Sequence, residues 1–309
     1  MQQVILGKTG IRVNKNGFGA LPIQRISKKD ASTLLLKAYD NGITFFDTAR
    51  FYTDSEEKLG EALSFARSHI IIATKTGAVT AEGFQKDLET SLRLLKTDYI
   101  DLYQFHNPAF CPKPEDGSGL YEAMCEAKKQ GKIRHIGITN HRLKVAWEAI
   151  DSGLYETLQF PFSYLAAQSE LELVEACKRA DMGFIAMKAL SGGLITNSKA
   201  AYAYLSQFEH VLPIWGIQRE NELEEFLSYQ QNPPKMNEEI LAFIQKEKEE
   251  LSGEFCRGCG YCMPCPAGIE INNCARIVLV YLIHKDNGSY IVHNVSNFLF
   301  FSFFPELQM

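Results

Sequence analysis

A chain of 309 residues, 46% hydrophobic and 22% charged, has the makeup of a soluble globular protein and the length for one large α/β domain with a small appendage. Its formal charge of -5 argues against nucleic acid or an anionic membrane as the main partner, and no uninterrupted apolar run reaches the roughly 18 residues of a membrane span. The start carries no charged segment followed by an apolar stretch, so a cytoplasmic location is expected.

The first element is VILGKTGIRVN, which reads as a hairpin turning at Gly7-Lys8-Thr9-Gly10 and suited to plug the bottom of a barrel. A short apolar run followed by an amphipathic segment then recurs. Strands are expected at 16–20, 43–47, 70–75, 99–106, 133–139, 157–162, 183–188 and 211–216. Ser27 to Asp30 reads as a capping box before the first helix, with Gly42 as its stop. Phe84, Leu88, Leu92 and Leu95 give the third helix one apolar face, and Gly131, Gly153 and Gly183 mark expected ends of later helices. Eight strands alternating with helices predict a (β/α)8 barrel. An open doubly wound sheet would carry a G-x-G-x-x-G turn after its first strand, whereas Gly17 and Gly19 run into Ala20-Leu21-Pro22.

The barrel is expected over residues 1–232. A Pro-containing linker (231–235) leads to a helix over 237–251 and a cysteine-rich segment, which together make a second unit at 233–276. The last stretch, 277–309, is an apolar tail in which IVLVYLI and FLFFSFF flank a turn at Asp286-Asn287-Gly288. No function is read from it.

Three successive strands end in ionisable residues: Asp47, Lys75 and His106, with Tyr52 five residues beyond Asp47. A parallel barrel gathers its chemistry at that rim. Phenols ionise near pH 10, so tyrosine is a weak acid at neutral pH unless a neighbouring ammonium stabilises the phenolate. A carboxylate beside the lysine keeps it charged and oriented, and an imidazole can hold a substrate oxygen or relay a proton. Together they can protonate a carbonyl oxygen while hydride arrives at carbon.

The segments FFDTARFYTDSEEKLG, IIIATKT, DLYQFHNP, IRHIGITNH and PIWGIQRENELEEF resemble the aldo-keto reductase superfamily over about residues 4–230. The resemblance implies an NAD(P)H-dependent reductase of a small-molecule carbonyl substrate. In it Tyr52 is the general acid, Lys75 and Asp47 tune it, and His106 orients the substrate. It further implies that NADP or NAD contacts Thr139, Asn140, Gln159, Lys188, Gly216, Gln218 and Arg219, with Asn140 and Gln159 on the carboxamide and Arg219 near an adenosine 2′-phosphate. Glu222 stands where many members carry a second basic residue, and AMKALSGG lacks the usual aromatic that stacks on nicotinamide, leaving Met187 or Lys188 to line that side.

Of eight cysteines, five fall between 256 and 274, while Cys111, Cys125 and Cys177 are scattered and read as apolar filler or surface thiols. The run Cys256-x-x-Cys259-x-x-Cys262-x-x-Cys265-Pro266 is close to the bacterial ferredoxin spacing and suits a 4Fe-4S cluster better than zinc, whose paired knuckles are usually further apart. It is similar to the ferredoxin-like extension of a bacterial branch of the superfamily, which generally has a second run; none follows here, so Cys265 or Cys274 would be left as fourth ligand, or the cluster would be incomplete. Two other readings stay open: a non-catalytic nicotinamide-binding redox sensor, and an iron–sulfur protein serving an electron-transfer partner.

Overall fold

The computed structural model describes residues 2–250 and, beyond them, Ala267 and Cys274. Eight parallel strands close into a barrel: β3 (Gly17–Gly19), β4 (Phe45–Asp47), β5 (Ile71–Thr76), β6 (Ile100–His106), β7 (Ile133–Thr139), β8 (Thr157–Pro161), β9 (Gly183–Met187) and β10 (Val211–Gly216). Each pairs with the next, and β10 closes on β3 with Trp215 opposite Phe18. All eight expected strands are present, each end within two residues of its expected place. Their side chains are buried almost throughout, which is why they read as continuous apolar runs rather than as alternation.

A hairpin precedes the barrel, β1 (Gln3–Ile5) pairing antiparallel with β2 (Arg12–Asn14) and Val4 facing Val13. Val4, Leu6, Ile11 and Val13 form one apolar cluster with Phe45, Leu102, Ile185 and Leu212 of the barrel, so the hairpin stoppers the end opposite the rim. The barrel's other end carries the C-terminal ends of the strands, where this architecture generally keeps its chemistry.

The helices are α1 (Lys28–Asp40), α2 (Ser55–Leu63), α3 (Ala81–Leu95), α4 (Leu120–Lys129), α5 (Leu143–Ser152), α6 (Gln168–Arg179), α7 (Ser198–Ser206), α8 (Glu220–Gln231) and α9 (Glu238–Glu250). Ser27 caps α1 by accepting the Asp30 N–H at 3.1 Å, as expected of that spacing. Phe84, Leu88, Leu92 and Leu95 are all buried beneath α3. Gly131 and Gly153 adopt positive φ at the ends of α4 and α5. Gly183 does not end a helix: the left-handed residue after α6 is Asp181 (φ 49), and Gly183 opens β9. Glycine is needed there because a Cβ would lie 2.8 Å from Leu6 Cβ in the plugging hairpin.

The barrel belongs to one compact unit, Met1–Ile244, and a second unit starts at Gln245. Cys256, Cys259, Cys262 and Cys265, and the apolar tail, lie outside the described residues. Among the described residues no helix is long and apolar enough to cross a membrane, and no group of histidine, cysteine or acidic side chains is placed to hold a metal ion.

Candidate active site

Asp47 ends β4 and Lys75 sits one residue before the end of β5; both side chains are buried. Lys75 Nζ donates to Asp47 Oδ1 at 2.8 Å, to Oδ2 at 2.7 Å and to the Thr48 carbonyl at 2.7 Å, and it also lies within hydrogen-bond reach of Tyr52. Its Nζ lies 5.2 Å from the centre of the Tyr52 ring. The Tyr52 and His106 rings meet edge to face with centroids 5.8 Å apart. The four rim residues are thus one cluster, on adjacent strands β4, β5 and β6.

Burial decides the protonation states. It raises the Asp47 carboxyl above the ordinary carboxylate value, with the Lys75 charge opposing it. For Tyr52 burial again dominates and raises the phenol, while Lys75 pulls the other way. The expectation that lysine depresses the phenol therefore gives the right sign for that one influence and the wrong sign for the sum. His106 is pushed down to about 3, first by burial and then by the Lys75 and His141 charges, so its imidazole is neutral at neutral pH. Its Nδ1 is buried without a hydrogen-bond partner.

A second buried charge, absent from the expectations, holds this cluster together. Glu56 of α2 is 1% exposed. Its Oε1 accepts from Thr74 Oγ1 at 2.6 Å and from Ser91 Oγ at 2.8 Å, and its Oε2 pairs with the Arg50 guanidinium. Thr74 precedes Lys75 on β5, and Arg50 lies two residues before Tyr52, its N–H donating to the Lys75 carbonyl at 3.0 Å. One carboxylate therefore ties the Tyr52 loop, the Lys75 strand and α3 to each other. On the loop's other side Ser55 Oγ donates to the Ala20 carbonyl at 2.8 Å and meets Thr48 Oγ1 at 2.9 Å.

The residues expected at a cofactor sit on the β7–β10 arc of the same rim. Thr139 is buried, with Oγ1 accepting the Asn107 N–H at 3.1 Å. Asn140 Oδ1 accepts from the His141 and Arg142 N–H groups at 3.0 and 2.8 Å, while Nδ2 donates to the Pro108 carbonyl at 2.9 Å. Gln159 Oε1 accepts from Gln104 Nε2 at 3.0 Å, and its Nε2 is 3.4 Å from Asp47 Oδ2. Both amides are fully buried at the rim. Lys188, at φ 53 just past β9, is exposed and 3.4 Å from His141 Nδ1. Gly216 ends β10, and Gln218 and Arg219 lead into α8.

At that helix start the structure adds something to the sequence reading. Glu222 Oε2 accepts the N–H groups of Gln218 and Arg219, each at 3.0 Å, and its Oε1 takes Arg219 Nε at 2.9 Å. A side-chain carboxylate already occupies the donors that an anion would use at this helix N-terminus.

Known proteins resemble this chain in sequence and in fold. Residues 15–214 match the family model described as the aldo/keto reductase family. The chain is 33% identical over 211 residues to L-galactose dehydrogenase of Arabidopsis thaliana, covering 62% of this chain and 66% of that protein. It is 27% identical over 258 residues to the NADH-specific methylglyoxal reductase of Escherichia coli, covering 72% and 77%. Among solved structures, aldo-keto reductase AKR11C1 from Bacillus halodurans in its holo form superposes with a TM-score of 0.70 at 22% identity, over 80% of this chain and 96% of that one. An aldo-keto reductase from Klebsiella pneumoniae in complex with NADPH gives 0.69 at 22% identity, over 79% and 94%. The structural likenesses support the barrel, and the family model supplies the rest: the chain belongs to the aldo/keto reductase family.

Proposed function

We propose that this NAD(P)H-dependent oxidoreductase reduces an aldehyde or ketone to the alcohol, with Tyr52 giving the proton to the carbonyl oxygen. The observation that carries this reading is the Lys75 ammonium, paired with a buried Asp47 and within hydrogen-bond reach of Tyr52. A bound reduced nicotinamide would supply hydride to the carbonyl carbon. Tyr52 Oη supplies the proton, Lys75 holds the resulting phenolate, and water returns the proton afterwards. His106, neutral and anchored at the end of β6, can donate to the same carbonyl oxygen without carrying charge into the site. Thr139, Asn140, Gln159 and Lys188 would hold the nicotinamide end. The decisive assay is oxidation of NADH or NADPH against a panel of aldehydes and ketones. Tight nicotinamide binding with no reduction of any member would favour a redox sensor instead.

Which nicotinamide is used turns on Glu222. Both kinds occur among related proteins, since the Klebsiella neighbour holds NADPH and the E. coli relative is NADH-specific by name. In this chain a carboxylate meets Arg219 at the α8 start, which disfavours an additional phosphate there and favours NADH. Glu222→Gln should improve NADPH binding relative to NADH roughly tenfold, as removal of a like charge a few ångströms from a phosphate would. Fluorescence titration of both cofactors measures it. An unchanged ratio means the adenosine phosphate does not sit at α8.

For the cysteine segment the reading is a 4Fe-4S cluster on Cys256, Cys259 and Cys262, with Cys265 or Cys274 as fourth ligand, and a redox partner that exchanges electrons with it. The spacing is its support. Anaerobically purified protein should contain iron and acid-labile sulfide in equal amounts, and protein without either ends this part of the reading.

A further inference from the structure

Lys58 of α2 is 3% exposed, although it follows two glutamates in a stretch that reads as a solvated helix face. Lysine is almost never found at that depth without partners. Its Nζ donates to the Ile23 carbonyl at 3.0 Å and to the Ile26 carbonyl at 2.8 Å, and it pairs with Asp54 at 2.8 Å. Two of the three ammonium protons thus go to backbone rather than to an acid. Both carbonyls belong to the loop between β3 and α1, which contains one short 3-10 turn, Pro22–Arg25.

That loop joins the two sides of the rim. β3 lies between β10 and β4, with Gly19 opposite Gly216 on one side and Asp47 on the other. Beyond it the Ala20 N–H donates to the Asp47 carbonyl at 2.8 Å, and Pro22 comes to rest on Gly216, where a Cβ would fall 3.1 Å from Pro22 Cγ. Among the described residues, the side chains that donate to the loop's backbone are those of Ser55, at Ala20, and Lys58. Both stand on α2, directly after the Tyr52 loop. Deleting the Lys58 ammonium would strip two carbonyls of a charged donor, and the loop could replace it only by opening to water.

We infer that Lys58 is a positioning residue for the cofactor, the clamp that keeps the 20–26 loop shut against Gly216, where the β10 side of the rim receives a nicotinamide dinucleotide. The inference rests on the cofactor reading given above and adds to it a residue that touches neither cofactor nor substrate. A site that is closed only part of the time binds more weakly by the closed fraction, and loss of one hydrogen bond from a charged donor lowers that fraction about tenfold. The measurements are fluorescence titration and stopped-flow release of NADH in the unaltered full-length protein, Lys58→Met, Asp54→Asn and Arg134→Ala. Lys58→Met should raise the NADH Kd about tenfold, mostly through faster release, and leave kcat at saturating NADH nearly unchanged. Asp54→Asn removes the ion pair but neither carbonyl bond. Arg134→Ala removes a guanidinium that pairs with Asp101 and lies over Tyr99 near the start of β7, far from the rim. Both should keep the parent Kd. An unchanged Kd in Lys58→Met overturns the inference, and so does an equal rise in either comparison variant, which would make the effect one of general stability. Should Lys58→Met fail to fold, hydrogen exchange in the unaltered protein decides: saturating NADH should slow exchange of the 20–26 amides, and exchange there unmoved by NADH overturns the clamp. If the unaltered protein binds neither NADH nor NADPH, the parent reading fails and takes this one with it, a result that is distinct from an unchanged variant.

Discussion

Replacing Tyr52 by phenylalanine should lower kcat by about two to four orders of magnitude while leaving nicotinamide affinity unaltered, the loss expected when a positioned proton donor is removed. The variant keeps the ring that meets His106 edge to face and that Lys75 approaches, so the loop geometry is retained and the lost proton is isolated. The pH dependence gives a second, independent check. Tyr52 acts in its protonated form, and burial raises its pKa above the ordinary phenol value, so the acid form persists through neutral pH and is lost only as pH rises through the alkaline range. His106, pushed down to about 3, has no transition near the ordinary imidazole value. The kcat profile should therefore be flat from about pH 6 to 8 and carry an alkaline limb that disappears in Tyr52→Phe. Steady-state kinetics across pH, with fluorescence titration of the cofactor, measures both. Retention of more than about a tenth of the activity would assign the proton to another group.

The barrel was legible because each of its strands is buried on both faces, so composition alone marks it; 133–139 and 211–216 emerge with the same bounds in sequence and structure. Asp47, Lys75 and His106 were legible for the opposite reason, as ionisable residues ending apolar runs. What sequence patterning could not supply is pairing between distant segments. Glu56 belongs to the run Ser55-Glu56-Glu57-Lys58, which reads as a solvated helix face, yet it is buried by Arg50, Thr74 and Ser91 from three other places in the chain. Nothing local distinguishes it from the half-buried Glu57 beside it. Glu222 presents the same difficulty: its charge was evident, but its contact with two backbone N–H groups and Arg219 depends on the turn that precedes α8. Gly183 misled because glycine serves equally for a left-handed turn and for close packing, and only the hairpin's position tells which.

Glu56 also explains how a loop can present Tyr52 accurately. The loop between β4 and α2 is short and bends sharply, with Thr53 at φ 37. Without the anchors at Arg50 and Ser55 such a segment would have several conformations available. With them, both ends of the Tyr52 turn are tied to β5 and β3, the strands flanking the one that carries Asp47. The proposed proton donor is thus carried on a loop whose backbone is fixed by buried polar contacts, a common division of labour in barrels.

Lys75→Met should destabilise the fold and abolish activity together, and the two effects should separate in a double variant. Removing the ammonium leaves Asp47, 2% exposed, with a single 3.4 Å contact from Gln159. Breaking a buried ion pair from one side costs about 3–5 kcal/mol, a large share of the 5–15 kcal/mol that holds a typical protein folded. The cost should depend on pH. The Asp47 pKa is raised by burial even with Lys75 present, and more so without it, so the folded variant holds a proton that the unfolded chain releases near the ordinary aspartate value of about 4. Stability is then greatest below that value and falls as pH rises toward the raised folded value, because folding must retain a proton that solution increasingly withdraws. The isosteric amide in Asp47→Asn/Lys75→Met removes the charge and its penalty, so the double variant should recover stability at neutral pH relative to Lys75→Met yet stay inactive, since nothing then lowers the energy of the Tyr52 phenolate. Denaturant unfolding at several pH values and kcat for the three proteins measure this. A single variant as stable as the parent, or a double variant no more stable than the single, would mean that Asp47 and Lys75 do not balance one another's charge in the barrel.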